Sequence, residues 1–254
     1  MAMLNDPFAK LEGPLADTTR MSMEVVENRP LTPAMQQVVL SAPELAGFTC
    51  RPGQDLMLMV AVDGDRPVRR RYTIRDTDQA RCRLTLGIVR HDGGPGERWV
   101  ATARPGDQIE AIGPRGKIFP AADVAWHLFA GDFSALPAFF AMAGSLPASQ
   151  RATVILEVPG PGDEQALTAA AEVELAWLHA DGRPPGDPAA LAAAVADVTL
   201  PPQAGHAYLA GEAKLVLALR EALAARGLPA DHVSPKAYWG LGRANASHGE
   251  PARD

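Results

Sequence analysis

The strongest constraint on the fold is a change of hydrophobic pattern near the middle of the sequence. In the first half, short runs rich in Val, Ile, Leu and Thr are separated by Pro, Gly and Asp. Their close spacing predicts a small antiparallel β-barrel. The runs are residues 36–40, 55–60, 71–75, 83–89 and 108–112.

The second half alternates strand-like runs with helix-like runs, which predicts a parallel sheet with helical crossovers. The predicted strands are 126–130, 153–157, 172–178 and 207–210, and the predicted helices are 134–143, 187–196 and 212–226. The pattern changes near 119–123, after the Gly/Pro-rich segment 113–116. We therefore divide the chain into a disordered leader (1–18), a barrel domain (19–120) and an α/β domain (121–254).

Composition narrows the class of protein. The chain has 254 residues, a formal net charge of −6 and two cysteines that form no Cys-x-x-Cys pair. Two thiols are too few for a cysteine-ligated iron–sulfur cluster, and the acidic balance argues against a nucleic-acid partner. The six histidines lack the spacing of a metal site, so we predict no metal ligands.

No membrane partner is expected, because the apolar stretch 124–144 is interrupted by Asp132 and Pro137. The first 18 residues contain no apolar run after a basic start, so we expect no secretory signal and a cytoplasmic location.

Charge is uneven along the barrel domain. Eight arginines lie within 25 residues, with Asp76 and Asp78 as the opposing acids. Arginines that alternate along a strand form a solvated face, whereas the unbroken run 69–71 also fits a polyanionic ligand. Both interpretations stay open from the sequence. The arginines are Arg66, Arg69, Arg70, Arg71, Arg75, Arg81, Arg83 and Arg90.

The segment 70–75 combines three side-chain types on one predicted strand. Alternation places Arg70 and Tyr72 on one face and turns Thr73 to the other. Arginine suits a phosphate, tyrosine suits stacking on a flat heterocycle, and threonine can donate a hydrogen bond to a ring nitrogen. A half-buried strand with surface arginines is the alternative.

The segment 91–100 follows a predicted strand and opens a short helix. Its glycines let the backbone approach a ligand, and free N–H groups at a helix start bind anions. A tight turn that caps a helix has the same pattern.

The segment 130–137 lies at the carboxyl end of the first strand of the α/β half, where open α/β sheets bind nucleotides. It contains neither Gly-x-Gly-x-x-Gly nor a phosphate-binding P-loop sequence. Asp132 or Ser134 could equally be a helix N-cap.

Seven short motifs occur in a fixed order along the chain. Taken together, they resemble the siderophore-interacting protein family of ferric-siderophore reductases, within the ferredoxin–NADP reductase-like superfamily. The resemblance runs from about residue 21 to residue 243. The motifs are Arg-x-Tyr-Thr (70–73), His-x-x-Gly-Pro-x-x-x-Trp (91–99), Arg-Pro-Gly-Asp (104–107), Gly-Pro-Arg-Gly (113–116), Gly-Asp-x-x-Ala-Leu-Pro (131–137), Ala-Gly-Glu-Ala (210–213) and Ala-Tyr-Trp-Gly-Leu-Gly-Arg (237–243).

The resemblance implies a six-stranded antiparallel flavin-binding barrel followed by an α/β nucleotide-binding domain. It implies FAD and either NADPH or NADH as cofactors, with a ferredoxin left open as the donor, and Thr73 as the residue nearest the reactive flavin nitrogen. The implied FAD contacts are Arg70, Arg71, Tyr72, Thr73, His91, Gly94, Pro95, Gly96 and Trp99. The implied nicotinamide contacts are Asp132, Ser134, Ala135, Gly211 and Glu212, and the C-terminal contacts are Tyr238 and Trp239.

The implied substrate is a ferric siderophore, which delivers iron already chelated. Lys117, Lys236 and Arg243 are expected to bind it on a basic rim. We expect the protein to act as a monomer. A general flavin reductase that serves a partner, and a non-catalytic flavoprotein that binds siderophore, are the alternatives.

Overall fold

The computed structural model describes residues 18–63, 66–91, 93–183 and 187–241. The chain forms two compact units, the first ending at Lys117 and the second beginning at Ile118. Apart from Thr18, the predicted leader lies outside the described residues.

The first unit is a closed barrel of six antiparallel strands, which confirms the barrel predicted from the sequence. The strand order around it is β1-β2-β5-β4-β3-β6, and helix α1 (Pro95–Thr102) connects β5 to β6. The strands are β1 (Thr19–Thr32), β2 (Met35–Ser41), β3 (Asp55–Asp63), β4 (Arg66–Asp78), β5 (Arg83–Val89) and β6 (Gln108–Arg115).

Strand β1 was not predicted, although it is 14 residues long and pairs with both β2 and β6. Its buried positions, Met21, Met23 and Val25, alternate with exposed polar residues, as a half-buried strand requires. The Gly/Pro-rich segment 113–116 continues strand β6 as far as Arg115.

The second unit is a parallel sheet, as predicted, and it has five strands in the order β11-β10-β7-β8-β9. Central strand β7 is buried at all but its last residue. The strands are β7 (Trp126–Asp132), β8 (Arg151–Val158), β9 (Glu172–His179), β10 (Gly205–Glu212) and β11 (Val233–Trp239). The helices are α2 (Leu136–Gly144), α3 (Ala189–Asp197) and α4 (Ala213–Ala225).

Each face of this sheet has its own core. On one face, Leu128 and Leu209 pack in a cluster with buried leucines of α3 and α4. On the other face, Phe129 stacks on Tyr208 with ring centroids 4.8 Å apart and contacts Phe139 of α2. Burial on both faces leaves the strand ends as the exposed parts of the sheet, which is where such sheets bind ligands. Within the described part of the chain, no helix has the length and apolar character needed to cross a membrane.

Candidate functional site

The first candidate site lies where strand β4 meets helix α1. A Cβ atom added to Gly96 would overlap the Tyr72 hydroxyl and would lie 3.3 Å from Cγ of Arg70. Arg70 and Tyr72 therefore share one face of β4, as the alternation predicted, and this face meets the first turn of α1. The Tyr72 ring also stacks on Trp99, with centroids 6.4 Å apart and planes 26° apart.

The amino end of α1 is built for close approach by a ligand. Gly93 and Gly94 have φ values of +80° and +90°, a region that favours glycine. The N-cap is Gly94, which has no side chain that could accept hydrogen bonds from the amides of the first turn. Pro95 itself has no amide hydrogen, so these amides begin with the residue after it. The Arg70 side chain passes this turn at its Cγ, and its guanidinium donates a hydrogen bond to the Arg69 carbonyl at 2.8 Å. An arginine beside the positive pole of a helix is an arrangement that suits a phosphate group.

The turn before α1 is held by Glu97. Its Oε2 accepts a hydrogen bond from the His91 amide at 3.3 Å, and its Oε1 lies 3.6 Å from the Arg90 guanidinium. Burial raises the pKa of Tyr72, so its phenol stays protonated and can donate a hydrogen bond.

The opposite face of β4 carries a buried ion pair. Arg71 donates two hydrogen bonds to Asp55, at 2.7 and 2.6 Å, and their side chains are 16% and 6% exposed. Asp55 is the cross-strand partner of Thr73, which is also buried. Of the two adjacent arginines, Arg70 is therefore the one beside α1, while Arg71 is bound to Asp55 next to Thr73. The cofactor contact expected of Arg71 stays a prediction.

Some arginines of the arginine-rich stretch fit a solvated face and one fits an anionic ligand, the two interpretations left open by the sequence. Arg81 forms an exposed ion pair with Asp78 at 2.7 Å, and Arg83 is exposed on the surface of β5. These two residues fit a solvated face, whereas Arg70 beside the first turn of α1 fits an anionic ligand.

The second candidate site lies at the carboxyl ends of β7, β10 and β11, where Asp132 accepts four hydrogen bonds. The amide and hydroxyl of Ser134 donate at 2.9 and 2.5 Å, the amide of Glu212 at 2.7 Å, and the indole of Trp239 at 3.0 Å. Burial raises the pKa of Asp132, whereas these donors favour its carboxylate form. Asp132 is the N-cap of a short turn at 133–135, so the capping role left open by the sequence is its observed role.

Glu212 and Gly211 also build the frame of this site. The Glu212 side chain is 2% exposed and caps α4 by accepting hydrogen bonds from the amides of Lys214 and Leu215 at 2.5 and 3.1 Å. Its other oxygen accepts a hydrogen bond from the Leu241 amide at 3.1 Å. Gly211 has a φ of +137°, and a Cβ there would overlap the Asp132 carboxylate. Their predicted nicotinamide contacts are untested.

The remaining predicted residues fall in different surroundings. Ala135 is fully buried, whereas Ser134 and Tyr238 are half-buried. Lys117 is exposed, but Lys236 is 8% exposed with its Nζ 5.3 Å from the Tyr238 ring centroid. An exposed charge on Lys236, which the basic-rim prediction assumed, is therefore absent. Arg243 lies outside the described residues.

Sequence reasoning missed Arg183. This residue follows a turn just after β9, in which Asp181 and Gly182 both have left-handed backbone angles. Its guanidinium donates hydrogen bonds to the carbonyl of His179 at 2.9 Å and to Glu157 at 3.4 Å. The Asp-Gly dipeptide was the available turn signal. The described residues contain no group of three or more potential metal ligands.

Comparison with known proteins agrees with this architecture. Residues 57–118 match the model of the siderophore-interacting FAD-binding domain, and residues 124–242 match the siderophore-interacting protein model. Ferric vibriobactin reductase of Vibrio cholerae is 31% identical over 73% of this chain and 69% of its own length. NADPH-dependent ferric-chelate reductase of Escherichia coli is 26% identical over 82% of this chain and 88% of its own.

The crystal structure of a siderophore utilization protein from T. fusca superposes with a TM-score of 0.81 and 30% identity, covering 91% of this chain and 97% of that one. The residues of the first site also fit FAD, because Tyr72 and Trp99 offer aromatic surface beside Arg70 and the glycine turn. Fold and site together define a flavin-dependent oxidoreductase that binds FAD. The chain belongs to the siderophore-interacting protein family.

Proposed function

We propose that this protein reduces ferric iron held in a siderophore, taking electrons from NADPH or NADH through FAD and releasing ferrous iron. The observation that carries the proposal is the packing of Arg70 and Tyr72 against the glycine-led start of α1, inside the segment that matches an FAD-binding domain. The names of two relatives, a ferric vibriobactin reductase and an NADPH-dependent ferric-chelate reductase, support the same substrate class.

The residues of the barrel unit divide the work of holding FAD. Arg70 and the first-turn amides of α1 would hold the pyrophosphate, and Tyr72 would provide ring surface. Thr73, the next residue along β4, would donate a hydrogen bond to the flavin ring from its amide or hydroxyl. When bound, FAD accepts two electrons from a nicotinamide and releases them singly to iron. The iron arrives chelated, so the protein need not supply ligands for it.

The nicotinamide nucleotide binds at the carboxyl edge of the parallel sheet, near Ser134 and the Gly211 backbone. The hydrogen bonds that Asp132 accepts hold these strand ends together, so the edge is preorganised for a ligand. We place the reaction in the cytoplasm, where reduced nicotinamide nucleotides are present.

The experiment compares electron donors at a fixed concentration of FAD-saturated protein. NADPH, NADH and reduced ferredoxin are each mixed with the protein, with and without a ferric siderophore, and both donor oxidation and ferrous iron are followed. We expect nicotinamide oxidation that depends on the ferric complex, with equivalent ferrous iron. Oxidation that is indifferent to the ferric complex would instead support a general flavin reductase, and bound FAD without turnover would support a binding protein.

A further inference from the structure

Helix α1 has only eight residues, and a helix this short depends on tertiary contacts for its stability. Its position matters because its amino end carries the glycine turn of the first candidate site. A helix also ends in carbonyl groups without helical partners, and when buried these need donors from elsewhere. The donors that bind the carbonyls at the carboxyl end of α1 therefore help to fix the position of the helix.

The last carbonyls of α1 divide between local and distant donors. The Trp99 carbonyl accepts a hydrogen bond from the Ala103 amide at 2.8 Å. The carbonyls of Val100 and Ala103 accept hydrogen bonds from the Asn28 carboxamide, at 2.8 and 2.9 Å. Val100 and Ala103 are 2% and 8% exposed, so water has little access to this end of the helix. Asn28 is thus the donor that ties the carboxyl end of α1 to the barrel wall.

Asn28 reaches the helix from strand β1, more than 70 residues earlier in the chain. Its own orientation is fixed by Gln36 of β2, which donates a hydrogen bond to the Asn28 carbonyl oxygen at 2.8 Å. Both amide hydrogens and the oxygen of Asn28 are therefore engaged. The amide must face the helix, because the other end of the carboxamide is held by Gln36.

We infer that Asn28 is a positioning residue for FAD: by fixing the carboxyl end of α1, it sets where Gly94 and Gly96 lie against Arg70 and Tyr72. A helix of eight residues is about 12 Å long and stiff, so anchoring one end places the other. The inference rests on the proposed FAD site at the start of α1. Asn28 itself contacts no cofactor atom in this scheme and acts through the helix.

The decisive variant is Asn28→Asp, which keeps the side-chain size but replaces a two-hydrogen donor with an acceptor. At neutral pH a carboxylate would face two carbonyls and the negative pole of the helix. We expect FAD to bind about tenfold more weakly near pH 8, since the loss of two hydrogen bonds to buried carbonyls is at least of that order. FAD affinity is measured by adding FAD to the apo-protein and following the quenching of flavin fluorescence.

A pH series separates positioning from general damage. Burial against two carbonyls raises the pKa of the introduced carboxyl, and its protonation restores one donor. The affinity of Asn28→Asp for FAD should therefore recover as pH falls from about 8 to about 5.5, while the wild type changes little. Ser22→Asp is the matched control, because Ser22 is exposed on the same strand and the substitution adds the same charge. It should bind FAD like the wild type at every pH.

Arg70→Ala, measured in parallel, distinguishes failure of this inference from failure of the proposed FAD site. If Asn28→Asp binds FAD normally at all pH values while Arg70→Ala does not, the inference is wrong and the site stands. If both bind normally, FAD does not lie at α1. If Asn28→Asp does not fold, Gln36→Leu decides, because it removes only the orienting bond. We expect a loss of affinity of about threefold with Gln36→Leu, and an unchanged affinity would overturn the inference.

Discussion

The motif side chains of the two units differ in what they contact. In the barrel unit, Arg70 and Tyr72 of the Arg-x-Tyr-Thr motif meet the open start of a helix, where a ligand can bind. In the sheet unit, Asp132 and Glu212 of the two later motifs bond to backbone amides and to Trp239. In the proposed function the first motif presents side chains to FAD, whereas Asp132 and Glu212 form hydrogen bonds within the sheet edge itself.

The difference follows from geometry. The barrel site is built from neighbouring residues of strand β4 together with helix α1, which comes after β5 in the chain. The carboxyl edge of a parallel sheet joins strands that are distant in sequence, and their ends need polar groups to satisfy free amides. A motif at such an edge can be required only to hold the strand ends together, without contacting a ligand.

The largest effect expected from this comparison is on the stability of the sheet unit. Asp132→Asn keeps the shape but offers an amide where four donors now meet an acidic group. We expect unfolding free energy to fall by about 2–4 kcal/mol, measured by urea denaturation. FAD affinity should be unchanged. A variant of normal stability with a raised KM for NADPH would make Asp132 a ligand contact instead.

The second prediction separates the two neighbouring arginines. Arg71→Ala removes the bidentate partner of the buried Asp55, so it should lower stability by about 2–3 kcal/mol. Arg70→Ala should leave stability within about 1 kcal/mol of the wild type. Because Arg70→Ala removes the charge-assisted contact proposed for the FAD phosphate, it should weaken FAD binding about tenfold or more. Equal effects of the two variants on FAD affinity would remove the distinction drawn between the two faces of β4.

The third prediction concerns pH. Burial, with His232 and His127 nearby, lowers the pKa of His206 to about 4, and burial also lowers the pKa of His127. In the unfolded chain both should titrate near 6.5, so unfolding takes up protons below that pH. Stability should therefore be complete above about pH 6.5 and should fall towards pH 4, by up to about 1.4 kcal/mol per pH unit for each histidine.

The measurement is urea denaturation at several pH values, with His206→Gln as the comparison. This variant should lose less stability on acidification, because it removes one of the titrating groups. His127 and His206 both lie in the sheet unit, so FAD affinity should not follow the same pH curve. An equally steep loss in His206→Gln would assign the acid sensitivity to other groups.

The smallest expected effect is on nucleotide choice. Arg183 lies at the carboxyl end of β9, and an arginine near this edge can accommodate the 2′-phosphate that distinguishes NADPH from NADH. Arg183→Ala should raise KM for NADPH by about threefold to tenfold, with little change for NADH. Steady-state kinetics with both donors checks this. A parallel rise for both nucleotides would indicate damage to the β9 turn.

Features decided by neighbouring residues could be predicted from the sequence, whereas contacts between residues far apart in sequence could not. The period of two placed Arg70 and Tyr72 together because neighbouring residues of one strand decide it. Two of the partners of Asp132, Glu212 and Trp239, lie 80 and 107 residues away, so no local pattern could reveal them. Lys236 was expected on an exposed rim, but strand β11 buries it. Strand β11 was missed because Pro235 interrupts its pattern. Strand β1 was missed although Met21, Met23 and Val25 show the alternation of a half-buried strand.

The central claim, electron transfer from protein-bound FAD to chelated ferric iron, is tested most directly by a single turnover. The FAD-saturated protein is reduced anaerobically with one equivalent of NADPH and mixed with excess ferric siderophore, and ferrous iron is trapped with a colorimetric chelator. The account predicts about two ferrous ions per FAD, because the flavin carries two electrons and iron accepts one. A reduced flavin that persists beside the ferric complex, with no ferrous iron formed, would contradict it.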